Sequence, residues 1–249
     1  MADGQVKLSR LERRVLSLVA GLPPGRALEL APGRGALSAE LVRLGHRLDA
    51  LDIAPENFSA SRRGVNLMAG NLDDPLPFED SAYDLVVCCE GIEHLEYQYR
   101  FARELARVLA PGGRLVLTTP NINNAASRIR FLFTGFYSLA VRPSSENVRN
   151  RYIEHIYPLA WWQLRHLLHT AGLAIEEVAT DHVRRSCLVL APLWPLSYLL
   201  TLKALLTEPE PRQRSANREI CRQLHSSALF FGRTMIVSAR KAPPENPES

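Results

Sequence analysis

The sequence predicts an α/β fold, in which a largely parallel sheet is covered by helices on both faces. Three observations carry this. Short apolar runs of strand length alternate with helical periodicities along residues 26–118. The first run breaks into a glycine turn, RALELAPGRG over residues 26–35, and the helical pattern ALSAELVRLG follows at once. Of the 249 residues, 46% are hydrophobic, which is enough for a sizeable core.

The elements follow in order. Val6, Leu8, Leu11, Val15, Leu18 and Val19 share one face of a helix over residues 5–20, so residues 1–25 read as a helical segment covering the sheet or its cleft. Residues 26–30 form the first strand, with Glu29 near its end. Gly33 and Gly35 let the backbone approach a ligand, because neither carries a Cβ. The helix after the turn stops at Gly45, and residues 47–53 form a second strand ending at Asp52. A carboxylate there is placed to hold the two hydroxyls of a ribose, or else to cap the turn that Ala54-Pro55-Glu56 begins.

A third strand over residues 66–69 leads into Gly70-Asn71-Leu72-Asp73. The most apolar strand, residues 85–89, contains Cys88 and Cys89, read as core residues on opposite faces. A helix over residues 97–110 ends at Pro111-Gly112-Gly113, and residues 114–118 form the fifth strand. Residues 120–158 lose clear periodicity and have the character of a substrate-binding cap, closing the core that spans residues 26–180. A helix at 159–170, a strand near 173–178 and a final strand over 230–239, within 229–241, complete the pattern, before a tail at 242–249 expected to be disordered. Phe131, Phe133, Phe136, Tyr137, Trp161 and Trp162 read as core or lid packing, or else as lining of an acceptor pocket.

Residues 181–228 form an insertion. Its segment 187–206 is almost continuously apolar but is interrupted by Pro192, Pro195 and Lys203. That run is marginal for a bilayer span, which needs about 20 apolar residues. Trp194 and Tyr198 favour an interface, and Arg184, Arg185, Arg212, Arg214 and Arg218 flank the run. It reads equally as an interfacial helix or as a lid or dimer face.

Net charge is only +4, and almost all the basic residues are arginine. This suits an anionic substrate or membrane surface and does not call for nucleic acid. The four cysteines have no metal or disulfide spacing, and the first residues lack the apolar stretch of a signal peptide. The expected place is the cytosol, including the inner face of the membrane. Oligomeric state is not legible.

In this order the blocks resemble a class I S-adenosylmethionine (SAM)-dependent methyltransferase. The resemblance rests on Glu29-Leu-Ala-Pro-Gly-Arg-Gly35, Asp52, Gly70-Asn71-Leu72, Tyr83-Asp-Leu-Val-Val87 and Leu109-Ala-Pro-Gly-Gly-Arg-Leu-Val-Leu. Ala31 stands where the family usually has its first glycine, and Asn71 where aspartate is commoner. The resemblance implies a Rossmann-like seven-stranded sheet with its last strand antiparallel. It implies SAM as cofactor, with Glu29, Gly33, Gly35, Asp52, Asn71, Leu72 and Glu90 as the residues that bind it.

Beyond the fourth strand, Glu90-Gly-Ile-Glu93-His94 spaces two carboxylates and an imidazole at i, i+3 and i+4, on one face of any helix formed there. Mixed oxygen and nitrogen donors suit magnesium or manganese. The pattern resembles the metal site of the ubiquinone-biosynthesis O-methyltransferases and of the small-RNA terminal 2′-O-methyltransferases. The latter use a further histidine, for which His155 is the candidate. The expected metal set is therefore Glu90, Glu93, His94 and His155. His94 or His155 acting as a metal-free base is the alternative. The leading expectation is O-methylation of a small or lipid-linked acceptor, such as a quinone precursor or a glycan sugar. RNA 2′-O-methylation and a membrane-peripheral, non-catalytic role remain as alternatives.

Overall fold

The computed structural model describes residues 6–137 and 157–242. Seven strands pair into one sheet: β1 (Arg26–Leu30), β2 (Arg47–Asp52), β3 (Val65–Ala69), β4 (Tyr83–Cys89), β5 (Leu109–Pro120), β6 (Leu173–Ala179) and β7 (Thr234–Lys241). Their spatial order is β3-β2-β1-β4-β5-β7-β6. Pairs among β1 to β5 are parallel, and β7 runs antiparallel to both β5 and β6. The order reverses between β1 and β4, which opens a crevice at the carboxyl ends of those strands.

Alternation along the strands sorts the core onto two faces. Leu85 and Val87 pack with Val15 and Val19 of α1 (Arg10–Val19) and with Leu37 and Leu41 of α2 (Ala36–Arg43). Val86 and Cys88 pack on the other face, with Phe101 and Leu105 of α3 (Gln98–Val108) and with Trp161 and Leu164 of α5 (Trp161–Thr170). A capping box starts α1: the Ser9 hydroxyl accepts from the Glu12 amide at 3.1 Å, and the Glu12 carboxylate accepts from the Ser9 amide at 2.6 Å.

Several boundaries differ from those expected. The fifth strand begins at Leu109, so Pro111-Gly112-Gly113 lies inside β5 rather than ahead of it. A Cβ on Gly113 would stand 2.8 Å from the Ala110 carbonyl and 3.0 Å from that of Tyr83, and so glycine lets the strand pass. Phe230 and Phe231 are not in the last strand; they end a short helix, α9 (Ser227–Phe231), capped by Ser226. Within the region read as an aperiodic cap lies α4 (Ala125–Thr134), capped by the Asn124 side chain and closed by Gly135 at φ 70°. Residues 138–156 of that cap, and 243–249 of the tail, lie outside the described residues.

The insertion folds as α6 (Arg185–Leu188), a 3-10 turn (Ala191–Leu193), α7 (Trp194–Leu206) and α8 (Pro211–Leu224). It is anchored to the core: Arg165 pairs with Glu219 at 2.8 Å, the Trp161 indole donates to Gln223 at 3.2 Å, and Arg128 donates to Ser197 at 2.9 Å. None of the α7 residues is buried, and Leu196, Leu199 and Leu200 are each more than half exposed. Among the described residues no helix is long and apolar enough to cross a membrane. Trp161 is fully buried, whereas Trp162, Phe131, Phe133 and Phe136 are exposed.

Candidate active site

The turn after β1 makes three left-handed steps, with φ 55° at Ala31, 54° at Gly33 and 79° at Gly35. Ala31 therefore keeps the conformation that a glycine would adopt freely, at a cost of about 1–2 kcal/mol. A Cβ at Gly33 would meet nothing within 4 Å, so the turn leaves an open cradle at that point. At Gly35 a Cβ would strike the Phe58 ring at 2.3 Å, so this glycine serves packing.

Asp52 closes the turn from the next strand. Its Oδ2 accepts the Gly33 amide at 3.0 Å and its Oδ1 accepts the Ala54 amide at 2.8 Å. The two roles weighed for Asp52, ligand residue and turn cap, are thus compatible. Each carboxylate oxygen keeps lone-pair capacity for a diol.

Glu29 is 3% exposed, and its Oε2 accepts the Ser38 hydroxyl at 2.5 Å. Burial pushes this carboxyl up to about 7, against the Ser38 hydrogen bond, and nearby Glu12 and Asp52 add to the rise. Ser38 lies in α2 and was not read as a site residue. Asn71 uses its side-chain oxygen to accept the Asp73 amide at 3.0 Å, which fixes its orientation beside buried Leu72.

Two cavities meet here. One, of about 660 Å³, is walled by Glu29, Ala31 and Gly33, with Lys7, Ser9 and Glu12 at the start of α1 opposite them. The other, of about 230 Å³, is walled by Asp52, Ile53, Asn71, Leu72, His94 and Leu95. Ala31, Gly33, Cys89 and Glu90 line both. Together they form one elongated cleft across the switch point, a shape and donor set that fit SAM: an open glycine cradle, a carboxylate for the diol and a buried carboxyl for the amino-acid end. Cys88 is fully buried, and Cys89 packs against the core on the opposite face while also lining this cleft. Burial pushes both thiols up, which keeps them neutral.

The ExxEH segment differs from its expected geometry. Glu90 is left-handed at φ 49°, and its amide donates to the Thr118 hydroxyl at 3.0 Å. Only Ile92–His94 is helical, as a single 3-10 turn after Gly91. The i, i+3, i+4 face requires an α-helix, so Glu90, Glu93 and His94 do not form the expected set. The Glu93 side chain lies wholly within the core, and burial pushes its carboxyl up to about 8. Among the described residues no three His, Cys, Asp or Glu side chains gather to hold a metal ion. His155 lies outside the described residues. His94 is half-buried and stands on the wall shared with Asp52, Asn71 and Leu72.

Glu90 is raised by burial; Arg233 opposes this, while Asp181 and Glu12 reinforce it. Sequence reading missed Arg233 and Asp181. They lie far along the chain, and only the return of β7 between β5 and β6 brings them to this edge.

Comparison with known proteins agrees with this geometry. Residues 28–117 match a family described as a methyltransferase domain. The chain is 30% identical, over 191 residues, to a ubiquinone biosynthesis O-methyltransferase of Xanthomonas campestris pv. campestris (strain B100), covering 72% of this chain and 76% of that protein. Among solved structures, it is similar to an S-adenosylmethionine-dependent methyltransferase from Mesorhizobium loti (TM-score 0.55, 17% identity, 92% of this chain and 97% of that one). It is also similar to one from Archaeoglobus fulgidus (TM-score 0.55, 16% identity, 92% and 90%). These two likenesses show the fold.

Proposed function

The chain belongs to the class I S-adenosylmethionine-dependent methyltransferases, and from that premise we propose that it O-methylates a hydroxyl of a small or lipid-linked acceptor. A quinone precursor or a glycan sugar fits this description. The observation that carries the cofactor half is the Asp52–Gly33 clamp at the centre of the continuous cleft. The hydroxyl half is supported by relatives named as ubiquinone biosynthesis O-methyltransferases, at 27–30% identity.

SAM supplies an electrophilic methyl group on a sulfonium. In the proposed site Asp52 holds the ribose hydroxyls, while Asn71 and Leu72 hold the adenine. Glu29 faces the amino-acid end, where the cation favours its ionised form. The remaining tasks are to align the acceptor oxygen and remove its proton, which suits a histidine. A metal-assisted route would need Glu90, Glu93 and His94 to converge, and their described positions do not fit, so no step is assigned to a metal.

A lipid-linked acceptor is favoured by one surface feature. Leu132 and Phe133 of α4, Val189 after α6 and Leu196, Leu199 and Leu200 of α7 are all exposed, at 57–79%. Arginines border the insertion on both sides. An apolar helix with basic flanks suits the interface of an anionic membrane.

The experiment is a radiolabelled methyl-transfer assay, with SAM and a panel of phenols, amines and a short RNA. Transfer to phenols alone supports the reading. Transfer to RNA would favour the 2′-hydroxyl alternative, and transfer only to nitrogen or carbon would overturn it.

A further inference from the structure

We propose that His182, oriented by Asp181, is the base that takes the proton from the acceptor hydroxyl; this rests on the O-methyltransferase reading. The sheet order sets the geography. Asp52 and Asn71 follow β2 and β3 on one side of Glu90, which follows β4. Asp181 and His182 follow β6, and Arg233 precedes β7, on the other side of Glu90 and at the same edge of the sheet. His94 shares its wall with Asp52, Asn71 and Leu72, the nucleoside residues. A methyl acceptor must approach from the side away from the nucleoside, and the strand order sets His182 on that side of Glu90.

The pair is built, not incidental. His182 Nδ1 lies 2.7 Å from Asp181 Oδ2, and the Asp181 side chain is 1% exposed while that of His182 is 24% exposed. In the tautomer that donates from Nδ1 to this carboxylate, Nε2 is the ring nitrogen that can receive a proton. The backbone is held as well. The Arg233 amide donates to the His182 carbonyl at 3.0 Å, the Asn121 amide donates to the Arg233 carbonyl at 3.1 Å, and Val183 bridges to Gly232. Asp181 and Arg233 both act electrostatically on Glu90, which lines the cleft.

In the step, the O–H proton passes to His182 Nε2, and the oxygen forms a bond to the methyl carbon. The carbon–sulfur bond breaks with its electron pair going to sulfur, leaving S-adenosylhomocysteine. Asp181 offsets the charge of the imidazolium.

The test compares catechol with 4-nitrocatechol, which is already ionised near neutrality, in wild type, His182→Gln, His182→Asn and Asp181→Asn. The proposal predicts that both His182 variants lose ~10²–10⁴-fold in kcat on catechol but only a few-fold on 4-nitrocatechol. Asp181→Asn is expected to fall between, and S-adenosylhomocysteine affinity is expected to stay unchanged. Equal losses on both phenols, or no loss on catechol, would overturn the assignment while leaving the O-methyltransferase reading intact. A wild type that transfers methyl to neither the phenols nor a glycan sugar would overturn that reading, and the role of His182 with it.

Discussion

The Asp52 carboxylate accepts the Gly33 amide at 3.0 Å, tying the glycine turn after β1 to the end of β2. One side chain thus shapes the cradle and, in the proposed site, presents the acceptor atoms for a ribose. Hydrogen bonds to charged groups contribute about 1.5–3 kcal/mol each. Asp52→Ala is therefore expected to weaken S-adenosylhomocysteine binding by about tenfold to a hundredfold, and to lower the melting temperature, by calorimetry and a thermal melt. Unchanged affinity would remove Asp52 from the site.

In the proposed site, Glu29 is expected to make cofactor affinity depend on pH. Its carboxyl stands at about 7 in the free protein because it is buried. A bound cation lowers that value, so binding releases a proton wherever the free carboxyl is protonated. Affinity is expected to rise with pH through about 7 and to fall below it. Glu29→Gln flattens that slope in titrations repeated across pH. An equally steep slope in the variant would count against this role.

Glu93 sets a pH window for stability. Burial raises its carboxyl from 4.5 to about 8. Its contribution is thus fully present below 4.5, and is lost as pH rises through about 8. Glu93→Gln keeps the neutral shape at every pH. Its melting temperature is expected to exceed that of wild type in alkaline buffer and to approach it in acid. Parallel curves would contradict the buried, protonated carboxyl.

The glycine turn gives a paired prediction. Ala31 sits at φ 55°, so Ala31→Gly relieves strain and is expected to stabilise by about 0.5–1 kcal/mol after the entropy cost of glycine. Gly35→Ala adds a Cβ against Phe58 at φ 79° and is expected to destabilise by more than 1 kcal/mol, roughly. Denaturant melts of both variants check the signs.

The exposed α7 face gives a prediction about surfaces. Leu199→Glu with Leu200→Glu is expected to reduce co-sedimentation with vesicles containing phosphatidylglycerol, and to leave catechol methylation unchanged. Identical sedimentation of wild type and variant would remove the membrane contact.

Much of the fold was legible because Gly and Pro punctuate its strands. Gly33, Gly35 and Gly45 mark turns, and all three have positive φ. The position of Asp52 was legible from its place at a strand end. Phe230 and Phe231 read as strand because a short buried helix and a buried strand share an apolar run. The Asn124 cap and Gly135 stop of α4 were present in the sequence but overlooked among polar neighbours. The ExxEH spacing implies a common face only if an α-helix forms, and here the chain makes a single 3-10 turn. His182 and Asp181 carry no motif. Only the strand order sets them across Glu90 from the nucleoside residues.

The most direct measurement is a crystal structure with S-adenosylhomocysteine bound. The account predicts the ribose hydroxyls within about 2.6–3.2 Å of the Asp52 carboxylate, the adenine against Asn71 and Leu72, and the sulfur facing the edge that holds His182. A product molecule bound with Asp52 unengaged, or with its sulfur turned toward His94 and away from His182, would contradict it.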